Sequence, residues 1–126
     1  MGGGKGLVGP DTVKSLRVWQ EGISVVKDIY ALTDDWPKRE IFGLTSQIRR
    51  AAVSIPANIA AGKGRGSNAE IARFARIALG SAYELDTLLE IAAELDFPGS
   101  PQIPDVRQRL TSLVRQLSTF IQSRCA

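Results

Sequence analysis

Lys63, Arg65, Arg73 and Arg76 are the residues whose type and spacing best suit chemistry, and that chemistry is electrostatic capture of phosphate. Lys63 and Arg65 lie in the glycine-rich run GKGRG, just before a predicted helix start where free backbone N–H groups and the helix dipole favour anions. Arg73 and Arg76 follow about one turn apart on one face of that helix. Ser67 and Glu70 compete for the same helix end and Glu70 adds negative charge, so a plain basic connector and a solvated face also fit these residues. Arg49 and Arg50 extend the basic set. Being adjacent, they project about 100° apart and cannot both address one small ligand. An ion pair with Glu84 on the neighbouring antiparallel helix competes with nucleic-acid contact as their role. From Lys38 to Arg76 the cations are Lys38, Arg39, Arg49, Arg50, Lys63, Arg65, Arg73 and Arg76, against Glu40 and Glu70. This segment therefore holds +6 of a chain whose net charge is +3. Such local excess points to a polyanionic partner, RNA or DNA.

Other chemistry is poorly supplied. The chain has no histidine and a single cysteine, Cys125. His-based acid–base catalysis, the usual triads and nearly all transition-metal sites lack their residues. No enzyme activity, cofactor, metal or small-molecule substrate is expected. The glycine-rich start MGGGKGLVGP lacks the apolar centre of a secretory signal and no apolar run approaches the ~20 residues of a membrane span, so a cytoplasmic protein with no membrane partner is expected.

The elements that position the arginines follow from periodicity. Residues 1–10, with five glycines, read as a flexible tail, and 11–126 as one all-α domain. The first helix is expected from Asp11 or Thr12 to about Leu32, with two adjacent apolar stripes, Leu16, Trp19, Ile23, Val26 and Tyr30 beside Val18, Gly22, Val25, Ile29 and Leu32. A face that wide implies cover from more than one side. The second helix is expected from about Arg39 to Ala61, with Ile41, Leu44, Ile48, Ile55 and Ile59 inward and a bend near Pro56. Its outer face, Ser46, Arg50, Val53, Ser54, Ala57 and Ala61, is small and nearly uncharged, which suits an interface with another copy. Gly62 fits the left-handed position that ends this helix, and Ser67 with Glu70 fits the capping box that opens the third. The third helix reaches about Leu95, with Ile71, Phe74, Ala78, Ser81, Leu85, Leu88, Ala92 and Leu95 inward. Trp36 and Tyr83 are expected to be exposed and available for base stacking. After the turn-rich Pro98 to Pro104, the fourth helix buries Ile103, Val106, Leu110, Leu113, Leu117 and Phe120. The expected architecture is an up-down-up-down four-helix bundle.

The runs LRVWQEG, LTSQIRRAAVSIPANIAAG, GSNAEIARFARIALGSAYEL and LLEIAAEL resemble the four-helix-bundle family first named for open reading frames in intervening sequences of 23S rRNA genes. The resemblance covers about Leu16 to Leu95. It implies a ring-shaped homo-oligomer, commonly a pentamer, with no known catalytic activity. The same fold family includes the accessory variability determinant of diversity-generating retroelements, a basic pentamer that binds nucleic acid and partners a reverse transcriptase. One departure stands out: Ala61 replaces a glutamate usual before the glycine, which puts any intersubunit ion pair of that acid in doubt. Two functions follow as expectations. One is a non-catalytic accessory protein that binds RNA or DNA backbone; the other is a ring-shaped scaffold that recruits protein and has no direct nucleic-acid role.

Overall fold

Apolar residues at spacings of three and four produce four long helices in the computed structural model, which describes residues 13–125. These are α1 (Arg17–Thr33), α2 (Leu44–Arg65), α3 (Asn68–Glu94) and α4 (Ile103–Cys125), with 3-10 turns at Val13–Ser15, Lys38–Glu40 and Ser100–Gln102. There is no strand among the described residues. The expected glycine-rich tail and the N-cap at Asp11 or Thr12 lie outside them.

One core unites all four helices. Val25 and Ile29 of α1, Ile48 and Ile55 of α2, Leu85 and Leu89 of α3, and Leu110, Leu113 and Leu117 of α4 are essentially inaccessible. Each helix packs on the next, and α4 returns to α1. Paired positions run in opposite order along each neighbouring pair. Gly22 meets Pro56, while Arg49 bonds Thr33. Ser54 meets Ser81, while Gly62 meets Ile71 and Phe74. Arg107 reaches Asp86, while Arg76 reaches Cys125.

Several expected boundaries shift, each for a local reason. The α-helix of the first element starts at Arg17, because Val13–Ser15 winds as a tighter 3-10 turn that ends at Leu16. α2 starts at Leu44 rather than Arg39. Glu40 closes a 3-10 turn and its Oε1 accepts the free N–H of Leu44 at 3.1 Å, so Ile41 leaves the expected core face and is half exposed. α2 then runs unbroken through Pro56, whose ring is buried against Gly22, and on to Arg65. The left-handed terminator is Gly66 (φ 87°), not Gly62. Gly62 is buried inside the helix, where α3 passes too closely for a side chain.

Trp36 also departs from expectation. It is 6% exposed, its Nε1 donates to the Pro98 carbonyl at 2.9 Å, and its ring meets Phe97 edge-on at 4.8 Å. Leu95, expected inward, is 60% exposed because α3 ends at Glu94 and the chain turns at Asp96 (φ 55°).

Candidate nucleic-acid interface

The α2–α3 hairpin positions the predicted phosphate ligands. Gly66 turns the chain, and Ser67 Oγ accepts the Glu70 N–H at 3.1 Å to start α3. Only half of the expected capping box forms. Instead of reaching back to Ser67, the Glu70 carboxylate takes Arg73 Nε at 3.1 Å and faces Arg65 at 3.6 Å. Arg73 and Arg65 also lie over the Phe74 ring, with guanidinium carbons 4.6 and 5.2 Å from its centre. The aromatic contact and the Glu70 carboxylate, which takes both Nε and Nη2 of Arg73, together orient the cations. The hydrogen bond from Arg73 holds the Glu70 carboxyl below its ordinary range, with the nearby charge of Arg73 and Arg65 adding to it. A depressed carboxyl stabilises the fold above its unfolded pKa and loses that contribution as pH falls through the folded value. Glu70→Gln should therefore lower the melting temperature slightly near neutrality. The difference from wild type should vanish below the carboxylate range in a pH series of thermal melts, whereas a difference constant with pH would reject the ionic contribution.

Contacts between helices bring further cations to the same end of the molecule. Arg76 Nη2 donates to Cys125 Sγ at 3.1 Å, which ties the end of α4 to the start of α3. Arg124 lies over Phe120 at 4.7 Å, and Arg17 and Arg115 share a groove with Phe120. The half of the molecule that contains the α2–α3 loop thus carries Lys14, Arg17, Lys63, Arg65, Arg73, Arg76, Arg115 and Arg124 against Glu21 and Glu70. The opposite half has more acids than bases, including Asp28, Asp34, Asp35, Glu84, Asp86, Glu90, Glu94, Asp96 and Asp105. Charge is segregated along the helix axes. Sequence order concealed this, since Arg17, Arg115 and Arg124 lie far from the Lys38–Arg76 segment; counting helices and alternating their direction would have gathered them.

Arg49 and Arg50 do not join that end. Arg49 Nε donates to Thr33 Oγ1 at 2.8 Å and its guanidinium sits 4.5 Å from the Tyr30 ring centre. Arg50 shares a groove with Glu84, yet no ion pair joins Glu84 to Arg49 or Arg50 among the described residues. The hairpin turns at Gly66 and Ser67 rather than at Arg65 and Ser81 faces Ser54, yet Arg50 still lies beside Glu84 as the antiparallel register expects, without pairing. Of the residues expected at a contact between copies, Val53, Ala57 and Ala61 are exposed and Ser46 is half-buried. Ser54 points instead toward α3, sharing a 2.7 Å hydrogen bond with Ser81 and accepting Asn58 Nδ2 at 2.9 Å. Asn58 also bonds the Ser54 carbonyl, so it serves neighbouring polar groups rather than the Ala52 carbonyl that Pro56 leaves free.

The helices and the basic end define a class: an all-α protein with a strongly polarised surface. No helix among the described residues is long and apolar enough to cross a membrane, and no group of His, Cys, Asp and Glu among them could hold a metal ion. More particularly, the chain belongs to the 23S rRNA-intervening sequence protein family, whose sequence profile it matches over residues 14–119. The match takes in all of α1, α2 and α3 and most of α4. No curated protein matches the chain.

Proposed function

We propose that this protein is a non-catalytic, homo-oligomeric accessory protein that binds the RNA or DNA backbone through its basic end. The supporting observation is the segregation of eight cations against two acids in the half of the molecule that contains the α2–α3 loop, with the exposed Arg65 and Arg73 both beside the Phe74 ring. Lys63, Arg65, Arg73 and Arg76 are the principal ligands, and Arg17, Arg115 and Arg124 widen the surface. Arg49 and Arg50 lie apart from it and contribute little. The order of paired contacts supports an up-down-up-down bundle, and the family resemblance supports a ring of copies, with a pentamer favoured. In this reading the protein acts in the cytoplasm, and its protein partner is a reverse transcriptase of a diversity-generating retroelement. The resemblance supports that partner.

Replacing Arg73 and Arg76 by alanine should weaken binding to single-stranded RNA at low salt and flatten its salt dependence by about 1.4, near 0.7 per lost phosphate contact. Fluorescence anisotropy with a labelled oligonucleotide measures both. Unchanged affinity and slope in a folded double variant would reject this assignment.

A scaffold that recruits protein is the second reading. It is favoured by the large apolar side chains left in solvent, above all Phe42 at 96% exposure.

A further inference from the structure

Two surfaces outside the basic end are complementary in charge and alike in apolar character. The first is the groove of about 580 Å³ between α1 and α2, lined by Tyr30, Ile41, Val53, Arg49 and Arg50. At its floor lies Thr45, 5% exposed, whose hydroxyl is buried without a hydrogen-bond partner. Arg49 is oriented by Thr33 and Tyr30, neither of which carries a compensating negative charge. Arg50 is exposed and forms no ion pair among the described residues. The groove therefore presents two cations amid aliphatic and aromatic surface, an arrangement that takes a carboxylate carried on an apolar support.

The second surface is the outer side of α3 in its C-terminal half. Glu84, Ile91, Glu94 and Leu95 fall on one helical stripe and all are exposed. Glu90, on the adjoining side, is satisfied by Arg107 at 2.5 Å. Glu94 has no cationic partner among the described residues; its interacting neighbour is Glu90 itself. A helix C-terminus already carries partial negative charge, so Glu94 is poorly placed in an isolated copy and gains from a cation supplied from outside.

We propose that the α1–α2 groove of one copy receives the outer face of α3 from a second copy, with Arg50 meeting Glu94 and with Ile91 and Leu95 covering Tyr30, Ile41 and Val53. The groove and the α3 face are different patches that adjoin where Arg50 and Glu84 share a groove; a contact in which each copy gives its groove to one neighbour and its α3 face to another is head-to-tail, as a ring requires. This inference rests on the homo-oligomeric reading and specifies its interface; it does not involve the phosphate ligands.

Charge exchange tests it. Light scattering of full-length protein at micromolar concentration should give an oligomeric mass for the wild type and a lower mass for Arg50→Glu and for Glu94→Arg, each reversal weakening association at least about tenfold. Arg50→Glu with Glu94→Arg in one chain should restore the oligomer. Circular dichroism of each variant verifies that the helices persist. A wild-type oligomer whose mass neither reversal changes overturns the interface while leaving self-assembly standing. A monomeric wild type overturns both. If Arg50→Glu leaves the mass intact but weakens single-stranded RNA binding, the groove belongs to nucleic acid and the proposal fails.

Discussion

Gly62→Leu is expected to destabilise the protein by about 3 kcal/mol, at the upper end of the usual cost of overpacking. A Cβ at this position would lie 2.9 Å from Phe74 Cβ, 3.1 Å from Ile71 Cα and 3.3 Å from the Glu70 carbonyl oxygen. Two of those atoms are backbone and the third is fixed to it, so no flexible chain end can move aside. Helices α2 and α3 must separate, and with them the frame that holds Arg65, Glu70 and Arg73 together. The melting temperature should fall by roughly 10 °C. Gly64 supplies the control, because a Cβ added there meets nothing within 4 Å. Gly64→Ala should raise stability by up to about 1 kcal/mol through helix propensity, whereas Gly62→Ala should lower it despite the same propensity gain. Equal responses of the two alanine variants in urea denaturation would show that close approach does not govern Gly62.

Trp36→Ala should cost about 3–5 kcal/mol, the range for emptying a buried aromatic site. The indole joins the α1–α2 connection to the α3–α4 connection by its contact with Phe97 and its hydrogen bond to Pro98. Removing it opens a cavity at the end of the molecule opposite the basic surface, where the core cannot easily collapse around the loss. Trp36→Phe should cost less, about 1 kcal/mol of it from the lost hydrogen bond, because the edge-on contact with Phe97 can persist. Denaturant titrations distinguish the two variants. A loss under 1 kcal/mol for Trp36→Ala would contradict its structural role.

The number and placement of the helices were legible in the sequence because apolar residues repeat at three and four through Ile29, Ile48, Leu85 and Leu113, and period outweighs local detail. Their ends were less legible. Gly62 and Gly66 both satisfy the local requirement for a helix terminator, and the choice is made by α3, which buries Gly62 and leaves Gly66 free to turn. Trp36 follows two aspartates and precedes a proline, a loop composition that gives no sign of partners more than sixty residues away at Phe97 and Pro98. Lys63, Arg65, Arg73 and Arg76, the core of the candidate site, form a contiguous sequence feature. Arg49 and Arg50 were grouped with it by sequence proximity, which is a poor guide within a hairpin. They lie toward the α1 side and the far end, while Arg124 arrives from the opposite end of the chain.

Binding of the wild-type protein to single-stranded RNA across a range of salt concentrations measures the role of the basic end most directly. With Lys63, Arg65, Arg73 and Arg76 each contacting a phosphate, the logarithm of the binding constant should fall linearly with the logarithm of salt, with a slope of about −3. A slope near zero, or no binding at low salt, would contradict nucleic-acid recognition by this surface.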